Sequence, residues 1–307
     1  MSHAPDPVAA IAAAERRGLQ ASIRIALALS AVAVVLGIVW GARILVFEGV
    51  FGTIGLVMSW LALRASRTAD QGPTERYPFG RDALTPLMVL MQGLAMLATL
   101  IYAASDAVIV ILDGGQRVAA VVVFVYSAVA AATSLVFARW LRSVNAGSDL
   151  ISAESIQWRG GGVRSLVAAI GAVVALGLAA ASVDAALDYV DPVLVLVSCV
   201  LVAPLPIRML RHGLNELLEG RPDASTMLDL ERVLADVTAR FELPEPVVRS
   251  TKLGAKLYVE VVYVMDRSTV TIAQEDEVRR AGVAALRTLP FDVWATIELT
   301  TDPLLAQ

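Results

Sequence analysis

Long apolar runs dominate the chain up to residue 209, and short polar stretches separate them. Six of these runs have roughly the 20 residues that a helix needs to cross a hydrocarbon layer of about 30 Å. They occupy residues 23–40, 44–63, 84–112, 118–141, 155–183 and 192–209. The pattern predicts a polytopic α-helical membrane protein with six transmembrane helices.

Charged residues in the predicted loops indicate the orientation. Arginines are concentrated before the first run and after the second, fourth and sixth, whereas the other loops carry Arg43, Arg117 and several aspartates. Since cytoplasmic loops carry the excess of Lys and Arg, both termini are predicted to be cytoplasmic. Residues 1–20 form a polar, Ala-rich segment rather than a signal peptide, so we expect a multi-pass protein of the cell membrane that keeps its first run.

After Gly220 the pattern becomes that of a small soluble domain. A helix is predicted over residues 221–241, with Ser225 or Thr226 as its cap. Its apolar face consists of Met227, Leu230, Val233, Leu234 and Val237. Alternating residues around Gly254 predict a β-hairpin, and a second helix and a last strand follow over residues 271–289 and 292–300. This αββαβ order predicts a cytoplasmic α+β domain of the ferredoxin-like kind, with two helices on one face of a small sheet.

These patterns divide the chain into three predicted parts. Residues 1–20 form a cytoplasmic N-terminal segment, residues 21–212 a six-helix transmembrane domain, and residues 213–307 a cytoplasmic C-terminal domain. The composition agrees with a membrane protein, because 57% of the residues are hydrophobic, 18% are charged and the mean hydropathy is +0.68. Soluble domains have fewer apolar and more charged residues.

Charge and candidate chemistry exclude several classes of function. The net charge of −4 does not favour a nucleic-acid partner. A single cysteine, Cys199, permits no intrachain disulfide. We find no nucleophile with a base, no phosphate-cradling loop and no motif for a metal-bound water, so neither an enzyme nor a cofactor is predicted.

Several segments carry a resemblance to a known family. They are "ERYPFGRDALTPL" after the second run, "DPVLVLVSCVLV" at the sixth and "RMLRHGLNELLEG" after it. With the six runs and the αββαβ tail, they resemble the cation diffusion facilitator family over nearly the whole chain. The family's loop motif is altered here, with Tyr77 at the place of a histidine and with Ala83 and Thr85 at the basic and acidic places.

The resemblance implies a function and a set of partners. Family members are dimeric exchangers that export divalent metals against protons. We therefore expect a homodimer in membrane lipid that transports a cation by antiport with a proton, the cation being the substrate rather than a cofactor.

The resemblance also implies a metal site with two ligand pairs, one on the second span and one on the fifth, drawn from Asp and His. Residues four apart share a helix face, which lets each pair point at one ion. The pairs align with Glu48 and Gly52 and with Gln157 and Gly161. Glycine supplies no ligand atom and a glutamine amide is a weak ligand, so the expected metal site is degenerate and retains only Glu48 and Gln157.

Arg164 is the further polar residue predicted on the pathway for substrate or protons. It lies on the same helix face as Gln157 and Gly161, near the expected height of Glu48. An ion pair between Glu48 and Arg164 would neutralise the carboxylate and repel a divalent ion. The alternatives are that Glu48 is an interfacial acid, or a carrier of a proton or cation, and that Arg164 snorkels or pairs elsewhere.

Other polar positions have weaker interpretations. Asp106 is either a relay acid or an interfacial residue. The three consecutive glycines at 160–162 indicate either close packing or a locally unwound helix. In the tail, Glu275, Glu298 and Asp302 lie near the places of the family's regulatory ligands, where they are either a weak site for a hard cation or a solvated surface.

Two functions from different classes follow from these observations. The first is a secondary transporter that exports a cation, coupled to protons, after losing most of its divalent-metal ligands. The second is a transport-inactive relative that acts as a dimeric membrane scaffold or regulatory subunit.

Overall fold

A computed structural model describes residues 7–69, 74–117, 119–143, 149–181, 184–266 and 271–306. The chain forms two compact units. Unit 1 consists of Met1–Trp60 and Leu94–Ile207, and unit 2 of Leu61–Gly93 and Arg208–Gln307. The predicted domain boundaries at residues 20 and 212 remain predictions.

Seven helices precede the C-terminal part of the described chain. They are α1 (Pro7–Trp40), α2 (Arg43–Ala69), α3 (Leu84–Leu112), α4 (Ala120–Ser143), α5 (Asp149–Ala180), α6 (Asp184–Val202) and α7 (Pro204–Leu217). The predicted third run agrees with α3 at both ends. Val118 and Val183, predicted in the fourth and fifth runs, lie outside the described residues.

Within the described residues, five helical segments are long and apolar enough to cross a membrane. They are Arg17–Trp40, Leu84–Leu112, Ala120–Ser143, Glu154–Ala180 and Ala186–Leu217. The predicted second run, residues 44–63, forms most of the 27-residue helix α2 but is not among these five. The structure is therefore a multi-pass helical protein of the membrane type, and the sixth span stays a prediction.

The sixth predicted run differs from the structure at both ends. The hydrophobic pattern predicts a run over residues 192–209, but α6 begins earlier, at Asp184, and the helix is interrupted at Ala203 before α7 begins. Pro204 and Pro206 explain the interruption, because proline has no N–H with which to continue the helical hydrogen bonds. The charge pattern predicts a loop for the acidic residues before Pro192, yet they form the first turns of α6.

Alanines line the contact between α4 and α5 in unit 1. Residues Ala130, Ala131 and Ala138 of α4 and Ala168, Ala169, Ala172 and Ala175 of α5 are all buried. Small side chains let two helix backbones approach closely, which is the main source of packing energy between helices in lipid. The buried alanines thus allow α4 and α5 to pack closely within unit 1.

Unit 2 contains the αββαβ order that the sequence predicts. Its elements are α8 (Ala224–Arg240), β1 (Val247–Leu253), β2 (Lys256–Val264), α9 (Ile272–Leu286) and β3 (Asp292–Thr300), followed by a short 3₁₀ turn. The strands lie in the order β1-β2-β3, with β2 antiparallel to β1 and parallel to β3. The core includes Met227, Leu230 and Leu234 from the predicted apolar face of α8.

The turn of the β1–β2 hairpin is fixed by charged residues of the same unit. Gly254 has a φ of +61°, a conformation that favours glycine. Its N–H donates to the buried carboxylate of Glu216 at 3.0 Å. Lys256, just after the turn, donates to Asp82 at 2.9 Å, and this hydrogen bond raises the pKa of the lysine.

The cap of α8 differs from the prediction of Ser225 or Thr226. Asp223 is the N-cap, and its carboxylate accepts the Thr226 N–H at 2.8 Å and the Ser225 hydroxyl at 2.6 Å. Ser225 and Thr226 are already inside the first turn, where their groups serve as donors to the cap. These hydrogen bonds, that of Ser225 first, lower the pKa of Asp223 to about 2.

Replacing Asp223 with alanine is expected to loosen the first turn of α8. Loss of an N-cap costs about 1 kcal/mol, so hydrogen exchange at the amides of Ser225 and Thr226 should accelerate in the full chain. Because the folded pKa is below the unfolded one, the stabilisation is present above about pH 4 and is lost as the pH falls towards 2. Asp223→Ser, which keeps a cap, is the control, and equal exchange in both variants would contradict the assignment.

Candidate functional site

The structure brings Glu48 of α2 and Arg164 of α5 together inside unit 1. Glu48 Oε1 and Arg164 Nε are 3.4 Å apart, and the two side chains are 5% and 31% exposed. The carboxylate is therefore enclosed, whereas the guanidinium is open on one side. The pair joins α2 to α5 through opposite charges.

The local sequence explains why Glu48 points inward. The neighbouring Leu45, Phe47 and Phe51 are all buried, so this part of α2 is enclosed on most of its circumference. Glu48 Oε1 accepts no hydrogen bond from the described residues, and its contact with Arg164 is an ion pair rather than an aligned hydrogen bond. An uncompensated buried carboxylate is costly, so Arg164 is the charge that makes this position tolerable.

The two glycines aligned with ligand positions have different surroundings. A Cβ at Gly161 would meet nothing within 4 Å, whereas a Cβ at Gly52 would lie 2.6 Å from Ser30 Oγ of α1. Gly52 therefore allows a close approach of α1 and α2, and Gly161 borders open space. The fourth aligned position, Gln157, is exposed on α5, and its role as a weak ligand remains a prediction.

No metal centre is formed by the usual ligand residues that the structure describes. Among them, no group of three or more His, Cys, Asp and Glu side chains is arranged to hold an ion. In the tail, Glu275 pairs with Arg279 at 2.5 Å and Asp302 accepts the Leu304 N–H at 3.0 Å. Glu298 is exposed. These three acids have separate local environments, which favours the interpretation as a solvated surface.

A polar cluster that the sequence did not predict joins α1 to α5. Trp158 Nε1 donates to Ser22 Oγ at 2.8 Å and to Glu154 Oε1 at 3.1 Å, and the Ser22 hydroxyl also donates to Glu154. Phe137 of α4 packs edge-on against the Trp158 ring. The sequence signal for this cluster is the spacing of Glu154 and Trp158, which are four residues apart and therefore share a helix face.

Asp106, interpreted from sequence as a relay or interfacial acid, pairs with Arg43. Its Oδ2 lies 2.7 Å from Arg43 Nε. The backbone of Arg43 in turn donates to Asp191 of α6 at 3.0 Å. The sequence placed Arg43 and Asp191 in loops without a partner, and only the folded chain shows that they meet.

A cavity of about 280 Å³ lies between α4, α5 and α6. Its wall is mostly apolar, and Arg117 and Asp191 contribute the polar part of the lining. Neither Glu48 nor Arg164 borders it. This cavity and the buried ion pair are therefore separate features of unit 1.

One comparison with known proteins identifies the family. The family model described as the cation efflux transmembrane domain matches residues 19–218, which is more than half of the chain and includes both Glu48 and Arg164. No curated protein sequence matches the chain. The matched residues also contain the polar clusters described above. From the extent of this match, the chain belongs to the cation efflux family.

Proposed function

We propose that this member of the cation efflux family is a secondary transporter that exports a cation in exchange for protons, with Glu48 as the group that carries the charge. Family membership supports a cation transporter. The observation that supports the finer proposal is the enclosed carboxylate of Glu48, whose counter-charge is a partly exposed arginine. Buried ionisable residues inside membrane helices are functional candidates because their burial is costly.

Exchange of partners at Glu48 is the proposed chemical step. Arg164 is open on one side, so its long side chain can leave the carboxylate and reach a more polar environment. Glu48 then carries one negative charge, which a proton or a bound cation neutralises. Return of Arg164 displaces that ion and restores the neutral pair.

The same geometry supports a change of substrate relative to the family's divalent metals. Two positive charges on an ion beside the guanidinium would repel it, and repulsion is stronger in a low-dielectric interior than in water. Gly52 and Gly161 add no ligand atoms that could offset the repulsion. The pair of charges therefore favours a proton or a monovalent cation, with the usual divalent-metal ligands lost.

The proposal includes the membrane arrangement of the protein. We take α2 as a further membrane span, which with the five described above makes six. Both termini lie in the cytoplasm of a cell-membrane protein, and the αββαβ tail is a ferredoxin-like domain. The transporter is proposed to act as a homodimer in lipid, without an enzymatic step.

The alternative is a transport-inactive scaffold or regulatory subunit. It is favoured by one observation, namely that Arg164 already neutralises the only carboxylate at the aligned site. In that case the pair is a permanent fastening between α2 and α5. Flux measurements on the variants below separate the two functions.

Substitutions at Glu48 and at Arg164 are expected to lower the free energy of unfolding by unequal amounts, and their effects are expected to be coupled. Arg164→Leu strands an enclosed carboxylate and should destabilise by about 3 to 5 kcal/mol. Glu48→Gln leaves an arginine that is 31% exposed, so its cost should be smaller. The double variant should recover much of the loss, because the coupling lies in the pair. Thermal unfolding of the purified protein measures all three.

The pair Arg249–Glu260 in unit 2 is the matched control. Its atoms are also 3.4 Å apart, but both side chains are 45% exposed, so Arg249→Leu and Glu260→Gln should have small effects on stability.

Flux of cations separates the transporter from the scaffold. In proteoliposomes with a pH gradient, Na⁺, K⁺, Mn²⁺ and Zn²⁺ are tested separately. The transporter proposal requires Glu48→Gln to stay folded and to lose flux. Folded wild type without flux of any of these ions would favour the scaffold.

Zinc is expected to bind poorly to the spans, and restoring a ligand should depend on the position. Gly161 borders open space, so Gly161→Asp should leave the melting temperature nearly unchanged. Gly52→Asp meets Ser30, and such overpacking costs about 1 to 3 kcal/mol. Adding Ser30→Ala should relieve it. Melting curves test the effects of the substitutions on stability, and calorimetric titration measures zinc binding. Submicromolar zinc binding that is lost in Glu48→Ala would refute the expectation of weak binding.

The orientation of the chain is tested with reporters. A C-terminal fusion is expected to report from the cytoplasm, and Asp113→Cys, at an exposed position between α3 and α4, is expected to react with an impermeant thiol reagent from outside the cell. Cys199→Ser provides the background without a native thiol. A C-terminal reporter outside the cell would overturn the predicted orientation.

A further inference from the structure

The first turn of α2 is capped by a residue from another helix. The carboxylate of Asp191, on α6, accepts the backbone N–H of Arg43 at 3.0 Å and that of Ile44 at 3.4 Å. The residue preceding the helix is Ala42, whose side chain cannot accept these bonds. Because a negative charge is favourable at a helix N-terminus, buried Asp191 serves as the cap that the α2 sequence lacks.

The side chain of the same arginine makes a second attachment. Arg43 Nε lies 2.7 Å from Asp106 Oδ2 of α3, and another guanidinium nitrogen donates to the Gln116 side chain in the α3–α4 loop. Arg43 therefore connects α2 to α6 through its backbone and to α3 through its side chain. Three helices meet at one residue.

The two attachments differ in how easily they can be broken. Asp191 and Ile44 are buried, so the cap is shielded from water. The side chains of Arg43 and Asp106 are 32% and 37% exposed, and an ion pair with that exposure is weak and readily exchanges with water. The cap thus has the properties of a lasting pivot, and the ion pair those of a reversible fastening.

Glu48 lies five residues after Arg43 on the same helix, or about 7.5 Å along its axis. Over this short length a helix moves as a rigid body, so the placement of Arg43 determines the height and direction of the Glu48 carboxylate. We propose that the Asp191 cap is the pivot of α2 and that the Arg43–Asp106 ion pair is its latch. Asp191, Arg43 and Asp106 are thus positioning residues that hold Glu48 against Arg164. This inference rests on the proposed transport function and assigns the contact that must open when Glu48 exchanges its partner.

A neighbouring ion pair provides a matched control. Arg117 Nε and Asp188 Oδ1 are 3.1 Å apart at the same end of unit 1, and their side chains are 57% and 33% exposed. This pair joins the α3–α4 loop to α6 and does not involve α2. If general loosening of this end were sufficient to release α2, loss of either pair would have the same effect.

Accessibility of a buried position reports on the latch without requiring transport. In a Cys199→Ser background, Ile44→Cys places a thiol where the side chain is fully buried. Adding Asp106→Asn should raise its rate of reaction with a water-soluble methanethiosulfonate about fivefold, as expected when an exposed ion pair that closes a minor open state is lost. Asp188→Asn should leave the rate unchanged.

Exchanging the charges distinguishes a latch from simple destabilisation. Arg43→Asp together with Asp106→Arg restores an attractive pair, so the slow rate should return in the Ile44→Cys background. Equal acceleration by Asp106→Asn and Asp188→Asn, or a charge exchange that stays as fast as the single variants, would overturn the proposal. Size-exclusion profiles confirm that each variant is folded.

Flux then relates the latch to Glu48. Arg43→Cys with Asp106→Cys, bridged by a reversible bifunctional thiol reagent, should lose proton-driven cation flux and regain it on reduction. Flux that continues in the bridged protein would contradict the latch. If the wild type itself moves none of the four test ions, the proposed function fails, whereas the labelling rates still decide whether Arg43 and Asp106 restrain α2.

Discussion

A carboxylate enclosed by apolar helices depends on a counter-charge, and among the described residues Arg164 supplies it to Glu48. The 3.4 Å contact couples α2 to α5. The pair is asymmetric because the guanidinium is more exposed than the carboxylate. The arginine side chain borders accessible space, whereas the carboxylate is enclosed. Any function assigned to unit 1 has to account for this difference.

Among the described residues, polar contacts connect the helices of unit 1 at several places besides the Glu48 pair. Asp191 caps α2 from α6, and Trp158 with Glu154 fastens α5 to Ser22 of α1. Between lipid-facing helices the hydrophobic effect does not select a partner, so close packing of small residues and such hydrogen bonds define which surfaces meet. The family membership fixes the kind of protein, and these contacts join particular helices of this chain to one another.

Hydrophobic periodicity predicted much of the fold because it depends on local sequence. The bounds of α3, the turn at Gly254 and the buried face of α8 all followed from it. The break at Ala203 was missed because apolar composition continues through the prolines that cause it. The cap supplied by Asp191 could not be predicted, because it joins residues 148 positions apart. The Glu48–Arg164 contact could be predicted as one alternative, because Arg164 lies on the same helix face as Gln157 and Gly161, near the expected height of Glu48.

The Trp158 cluster makes part of this protein observable by light. Of the five tryptophans in the chain, Trp158 is 9% exposed, whereas the others are at least 40% exposed. Its indole also donates hydrogen bonds to both Ser22 and Glu154. When collisional quenchers in water and in lipid have silenced the accessible rings, the residual emission therefore comes from the junction of α1 and α5. The junction thus contains its own fluorophore, whose colour and lifetime follow the separation of the two helices without an added label.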